Sequence, residues 1–237
     1  MPEPARPASP ASFGSDEPDP ASSSPKAVLT VNACGRDWAL ERAADLEALW
    51  ESMVDFNEDE RLPYWTEVWP ASVVLAEWLV RRRDELSGSV CLDLGCGIGL
   101  TALVGQWLGA RVIGMDYEFD ALHFARRNAD RNGVRQPGWV AMDWRRPAVG
   151  KASFARVWGG DVMYEKRFAA PVLDFLEFTL RKDGLVWLAE PCRSVYDSFR
   201  SLLPGRGWSC RCVLETATPA LYPQEKPVPV RVWELRR

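Results

Sequence analysis

Apolar and polar residues alternate from Val28 to Val31, Gly35-Arg36-Asp37 suggests a turn, and Trp38-Ala-Leu40 returns as a second strand. Leu46, Leu49, Trp50 and Met53 recur at helical spacing and predict a helix over Arg42 to Met53. An aromatic loop from Leu62 leads into a helix from about Pro70 to Leu79, with the proline suited to a first turn. Short apolar runs then predict strands at Val90–Leu94, Arg111–Met115, Gly138–Met142, Ser153–Gly160 and Gly184–Ala189. Between and after them, helical periodicity covers Leu100–Leu108, Asp120–Asn132, Phe168–Arg181 and Ser194–Leu203, with Gly133 as a C-terminal stop. Two alternating stretches close the chain, Trp208–Val213 and Val228–Leu235, joined by the proline-rich segment 217–229. Strands that alternate with helices predict a doubly wound α/β sheet.

The stretch most dense in signals is Val90-Cys-Leu-Asp-Leu-Gly-Cys-Gly-Ile-Gly-Leu-Thr-Ala-Leu-Val104, a strand, a turn with Gly95, Gly97 and Gly99, and a helix. Such glycines let a nucleoside or dinucleotide lie against the main chain at the edge of a parallel sheet. A nicotinamide site wants Gly-x-Gly-x-x-Gly at a helix N-terminus facing a pyrophosphate, but the third glycine comes one residue early and Leu100 holds the expected place. Asp93, two residues before the first glycine, is a poor neighbour for phosphate and suits a cationic ligand such as S-adenosylmethionine. A plain strand–glycine–helix turn of another α/β protein is the bland alternative. Asp116 closes the second strand of this unit, where a carboxylate can take both ribose hydroxyls through its two oxygens.

Asp93-Leu-Gly95-Cys-Gly97-Ile-Gly99 resembles the first motif of the seven-strand, class I S-adenosylmethionine-dependent methyltransferases. That resemblance implies a Rossmann-like seven-stranded sheet with a C-terminal antiparallel hairpin over residues 61–237, and the strands and helix read before it form a small N-terminal extension over 27–60. It further implies that Asp143 receives the adenine amino group while Trp144 covers the ring. Trp65-x-x-x-Trp69-Pro70 and Asp161-x-x-Tyr164 are similar to two motifs of the family 16, METTL-type protein-lysine methyltransferases. In that family the second tryptophan, here Trp69, borders the cofactor. The same resemblance places Asp161 and Tyr164 against a cationic amine, which suits a carboxylate and an aromatic ring by charge and cation–π attraction. Without it, Tyr64, Trp65 and Trp69 read equally well as an aromatic cover over the sheet.

Composition narrows the alternatives. A net charge of −4 argues against a broad nucleic-acid footprint, and the arginine clusters at Arg81–Arg83 and Arg126–Arg127 read as solvated helix faces. Val162-Met163 also replaces the two prolines that base methyltransferases usually carry after the fourth strand. No C-x-x-C pair is present, and the single His123 leaves no zinc ligand set, so a metal is not expected and the six cysteines should be reduced. Cys210 and Cys212 should share one strand face as small core residues. No run approaches the roughly 18 apolar residues of a membrane span and no signal pattern opens the chain, so a cytoplasmic protein is expected. A protein-lysine substrate is the expectation, with a small amine or a non-catalytic cofactor-binding module as alternatives.

Residues 1–26 are almost all Pro, Ala, Ser, Glu and Asp, a composition that cannot bury enough apolar surface to offset its ordering entropy. Deletion of residues 1–25 should therefore leave the thermal midpoint and the cofactor affinity nearly unchanged. A fall of many degrees in a thermal unfolding scan of the truncated chain would show that the tail packs on the domain.

Overall fold

The computed structural model describes residues 26–45, 49, 63–219, 221 and 226–237. Of the disordered tail expected over 1–26, residues 1–25 lie outside them and Lys26 opens a strand instead; most of the expected helix over Arg42–Met53 also lies outside them. Arg42 itself belongs to a strand: β1 (Lys26–Ala33) and β2 (Arg36–Ala43) form an antiparallel hairpin around Cys34-Gly35, both at positive φ. The pairing with β1 takes Arg42 and Ala43 from the expected helix, while Leu49 is helical, with its N–H on the Asp45 carbonyl at 3.1 Å.

Three helices follow or interleave with the first strands: α1 (Pro70–Arg81), the single turn α2 (Arg83–Leu86) and α3 (Leu100–Trp107). α4 (Phe119–Arg131), α5 (Ala169–Thr179) and α6 (Val195–Leu202) come later in the chain. The main sheet contains β3 (Val90–Leu94), β4 (Arg111–Asp116), β5 (Gly138–Ala141), β6 (Phe154–Gly160), β7 (Leu180–Glu190), β8 (Ser209–Thr218) and β9 (Val228–Arg236). Their spatial order is β5-β4-β3-β6-β7-β9-β8. The first five run parallel, and β9 is antiparallel to both β7 and β8. The expected doubly wound seven-stranded sheet with a closing antiparallel hairpin is therefore present. No helix among the described residues is long and apolar enough to cross a membrane.

The structure moves three expected boundaries. The helix expected to reach Arg181 stops at Thr179, because Leu180 is buried and pairs with Phe154 as the first residue of β7. Both closing strands are also longer than the alternation indicated: Ala217 pairs with Pro229 and Thr218 with Val228 inside the proline-rich segment. Cys210 and Cys212 face Leu235 and Trp233 two residues apart and so share one face, but β8 is the edge strand of the sheet, and Cys212 is exposed and Cys210 half-buried rather than both in the core.

Two apolar layers enclose the sheet. On one side α1, α3, α4 and the hairpin cover Trp158 and Trp187, and on the other α5 and α6 cover Phe154, Val157 and Leu188. The hairpin docks through amides on α4. Asn128 Oδ1 accepts the Glu41 N–H at 2.6 Å while its Nδ2 donates to the carbonyls of Glu41 and Ile98, each at 3.0 Å. Asn132 treats Ala39 in the same way, so one turn of helix satisfies the edge of β2 as a neighbouring strand would. Glu41, buried beside them, pairs with Arg127 and Arg131 at 2.8 Å each.

The tightest helix-to-sheet contact lies at Gly105, where a Cβ would come within 2.7 Å of the fully buried Trp158 ring. Gly105→Ala gains about 1 kcal/mol of helix propensity but overpacks a rigid ring at a cost of about 1–3 kcal/mol. We expect net destabilisation in a urea titration; unchanged or raised stability would contradict this packing.

Candidate active site

β3 and β4 deliver their last residues to the same end of the sheet, and the chain turns between β3 and α3 on Gly95, Gly97 and Gly99, all at positive φ. At Gly97 a side chain has no room: a Cβ would lie 2.9 Å from the Trp65 carbonyl oxygen. At Gly95 it would lie 2.9 Å from Val162, so the turn is clamped between the aromatic loop and the segment after β6. Gly99 is the N-cap of α3.

Asp116 fixes the turn from below. Its Oδ2 accepts the Gly97 N–H at 2.7 Å and its Oδ1 accepts the Glu118 N–H at 3.1 Å, and with the Tyr117 N–H as a further backbone donor the carboxylate still keeps part of its accepting capacity. Burial raises its pKa, opposed by those backbone bonds. Asp93 is placed differently. It is completely buried under the turn, where Oδ2 accepts the Thr101 hydroxyl at 2.6 Å. Burial pushes Asp93 up to about 7, against the lowering effect of the Thr101 hydroxyl and with a further rise from Asp116.

Above the turn opens a cavity of about 760 Å³, lined by eight of the ten residues singled out from the sequence: Trp69, Gly95, Gly97, Asp116, Asp143, Trp144, Asp161 and Tyr164. Asp93 and Gly99 do not line it. Asp143 faces the cavity with its carboxylate held by Arg145, whose backbone N–H and Nε each donate at 2.8 Å. Burial pushes its pKa up, but the Arg145 hydrogen bonds and charge outweigh this and hold it below the usual range.

Asp161 follows β6 directly and sits at φ 55, an uncommon conformation for a residue with a side chain, fixed by its N–H bond to the Ala189 carbonyl at 2.8 Å. Its carboxylate is pushed up to about 6 by burial, with Arg193 lowering and Glu190 raising it. Arg193 supplies the partner, with Nη2 at 3.0 Å from Asp161 Oδ2. Tyr164 stands at the mouth, half in solvent, and burial first, then Glu165, pushes its phenol up to about 12 so that it stays neutral.

Tyr64 and Phe168, which the sequence did not single out as site residues, turn isolated aromatics into a row. Ring centres lie 5.8 Å apart for Trp69–Tyr64, 5.4 Å for Tyr64–Tyr164, 5.1 Å for Tyr164–Phe168 and 5.2 Å for Phe168–Trp144. The Trp69 indole N–H donates to the Tyr64 carbonyl, which holds the start of the row. Tyr64 carried a signal in its place within the aromatic loop; Arg193, far along the chain from Asp161, carried none.

Chemically, the cavity joins a surface that fits a nucleoside to one that fits a cation. A bare glycine backbone and a carboxylate with spare lone pairs line one part, and a second carboxylate with an aromatic row lines the other. The volume is within the usual range for a small-molecule or cofactor site.

Residues 91–184 match the family described as a methyltransferase domain. Mouse histone-arginine methyltransferase METTL23 is 30% identical over 157 residues, covering 63% of this chain and 61% of that protein. A ribosomal protein L11 methyltransferase of Pseudomonas aeruginosa is 40% identical over 167 residues, covering 63% and 52% respectively. The chain thus spans less than two thirds of the length of these curated relatives. Among solved structures, the T. thermophilus 16S rRNA N2 G1207 methyltransferase in complex with AdoMet and guanosine aligns with a TM-score of 0.60 at 16% identity, over 90% of this chain and 50% of that one. The Synechocystis magnesium protoporphyrin IX methyltransferase with bound SAM aligns at 0.55 and 23%, over 70% and 78%. The two solved structures share the chain's fold, and the family match falls on the residues that carry the glycine turn, β4 and β6.

Proposed function

We propose that this chain is an S-adenosylmethionine-dependent methyltransferase that methylates the side-chain nitrogen of a lysine in a protein substrate. The observation that carries the reading is the meeting, in one cavity, of Asp161 and the aromatic row with the Gly95–Gly97 backbone and Asp116. When bound, the cofactor supplies a methyl group already activated on a sulfonium, so the chain's own task is to bind, orient and exclude water. The backbone at Gly95 and Gly97 leaves room for the cofactor's tail, Asp116 accepts the ribose hydroxyls, and Asp143 with Trp144 holds the adenine. Trp69 borders the same space. Asp93 acts indirectly, by tying the strand before the turn to Thr101 at the start of α3.

Asp161 accepts hydrogen bonds from the substrate nitrogen and orients it, while the ring of Tyr164 covers its apolar stem. The ammonium loses its proton to water before attack. A guanidinium substrate is the second reading, favoured by the likeness to the histone-arginine enzyme. Incubation with methyl-labelled cofactor and a cell lysate, with protease and ribonuclease arms and amino-acid analysis of the labelled protein, tests the proposal. Label in methyl-lysine supports it, label in methyl-arginine selects the second reading, and label in RNA or in the low-mass fraction overturns both.

Asp116→Ala removes acceptors for the ribose, and hydrogen bonds to a charged group are worth roughly 1.5–3 kcal/mol, so affinity for S-adenosylhomocysteine should fall about ten- to a hundredfold by calorimetry. Asp161→Asn should keep that affinity within a few-fold while turnover collapses; wild-type turnover in this variant would refute the role of Asp161. Tyr164→Phe should be milder than Tyr164→Ala.

Asp161 also makes turnover and stability depend on pH in opposite senses. Wild-type turnover should fall as pH drops through about 6, where Asp161 becomes protonated. A folded pKa raised from 3.8 to about 6 means that the ionised carboxylate costs the fold roughly 3 kcal/mol above pH 6, a cost that disappears below the unfolded value. Asn tolerates the same backbone conformation and carries no charge, so Asp161→Asn should raise the unfolding midpoint at pH 7.5 and progressively less towards pH 4.5. Equal gains at both values would contradict the assignment.

A further inference from the structure

Arg193 lines the same cavity as Asp161 and Trp69. Besides the 3.0 Å contact with Asp161, its Cζ lies 6.0 Å from the centre of the Trp69 ring. A carboxylate and an aromatic face together are the surroundings that hold an ammonium or guanidinium ion. The backbone beneath this side chain is fixed. The Arg193 N–H donates to Glu190 Oε2 at 2.9 Å, Glu190 Oε1 accepts the Trp233 indole N–H at 3.1 Å, and Cys192 takes a positive φ of 57° between them. The side chain itself is 37% exposed, so it can swing into water by rotation of its own bonds while the loop stays in place.

We propose that Arg193 is an internal stand-in for the substrate's cation: it fills the Asp161 subsite when no substrate is bound and is displaced by the substrate's ammonium. This inference rests on the reading of Asp161 as the subsite for a cationic side chain. Exchange of one cation for another keeps the buried carboxylate paired at both ends of the process, which avoids the heavy cost of an uncompensated buried charge. A neutral group of the same shape cannot make the exchange, because it would leave Asp161 unpaired. Arg193 therefore lowers the affinity of the subsite for cations, because it competes with them for Asp161. It sets how tightly the substrate's cation is held, and its contribution is competition.

The test uses the full chain, n-butylammonium as a probe of the lysine stem and head, n-butanol as its neutral counterpart, and NMR titration to measure binding. Arg193→Gln should bind n-butylammonium about tenfold more tightly than wild type, as expected for loss of one competing ion pair. Its affinity for n-butanol should not change. Arg193→Lys, which restores a cation, should return towards wild type, and the double variant Arg193→Gln with Asp161→Asn should lose the gain. Equal n-butylammonium binding by wild type and Arg193→Gln would overturn the proposal. So would an equal gain for n-butanol, which would mean that the glutamine merely opens space. A parallel titration with S-adenosylhomocysteine keeps the two readings apart: failure there sinks the methyltransferase reading, whereas the cation comparison stands or falls without it.

Discussion

Everything at the candidate site depends on one close approach, that of the Gly97 backbone to the Trp65 carbonyl, which leaves 2.9 Å where a Cβ would have to stand. Because the turn can pass there, its N–H reaches Asp116 at 2.7 Å and ties the ends of β3 and β4 together. The same turn is pressed by Val162 at Gly95, so the residues after β6 are located by it too. Asn128 adds a third tie, since its side chain bonds both the Ile98 carbonyl and the N-terminal hairpin. The glycine turn is therefore in contact with the aromatic loop, with Asp116 and with the segment that carries Asp161.

Electrostatics then divides the cavity. Asp116 spends part of its accepting capacity on backbone donors, which holds it still, and Asp143 is held by Arg145. Asp161 is tied instead to the long side chain of Arg193, and its raised pKa records how little solvent reaches it. The two carboxylates proposed for the cofactor are fixed by backbone or by a near neighbour in sequence, whereas the one proposed for the substrate has a partner that can leave. Polar groups held still in a water-poor site are how a protein orients reactants without chemical participation.

Much of this arrangement was legible in the sequence because it is local. A short apolar run ending in a carboxylate marks the end of a parallel strand, as at Arg111–Asp116, and glycines at 95, 97 and 99 mark the turn. The sequence misled where tertiary contacts override local pattern. Arg181-Lys182-Asp183 look like the polar end of a helix, yet the pairing of Leu180 with Phe154 had already begun a strand. Asp93 was read as a neighbour of the ligand, but the period of two along β3 sends its side chain with Cys91 into the layer under α3, where Thr101 meets it. Arg193 left no trace, because its pairing with Asp161 is created only when β6 and β7 lie side by side.

The central claim is that this glycine turn and Asp116 form a site for a cationic nucleoside cofactor without a pyrophosphate. Calorimetric titration of the full chain with S-adenosylhomocysteine and, separately, with NAD tests it most directly. One-site binding of S-adenosylhomocysteine with no measurable heat from NAD is the predicted result. Tight binding of NAD with no response to S-adenosylhomocysteine would contradict the account.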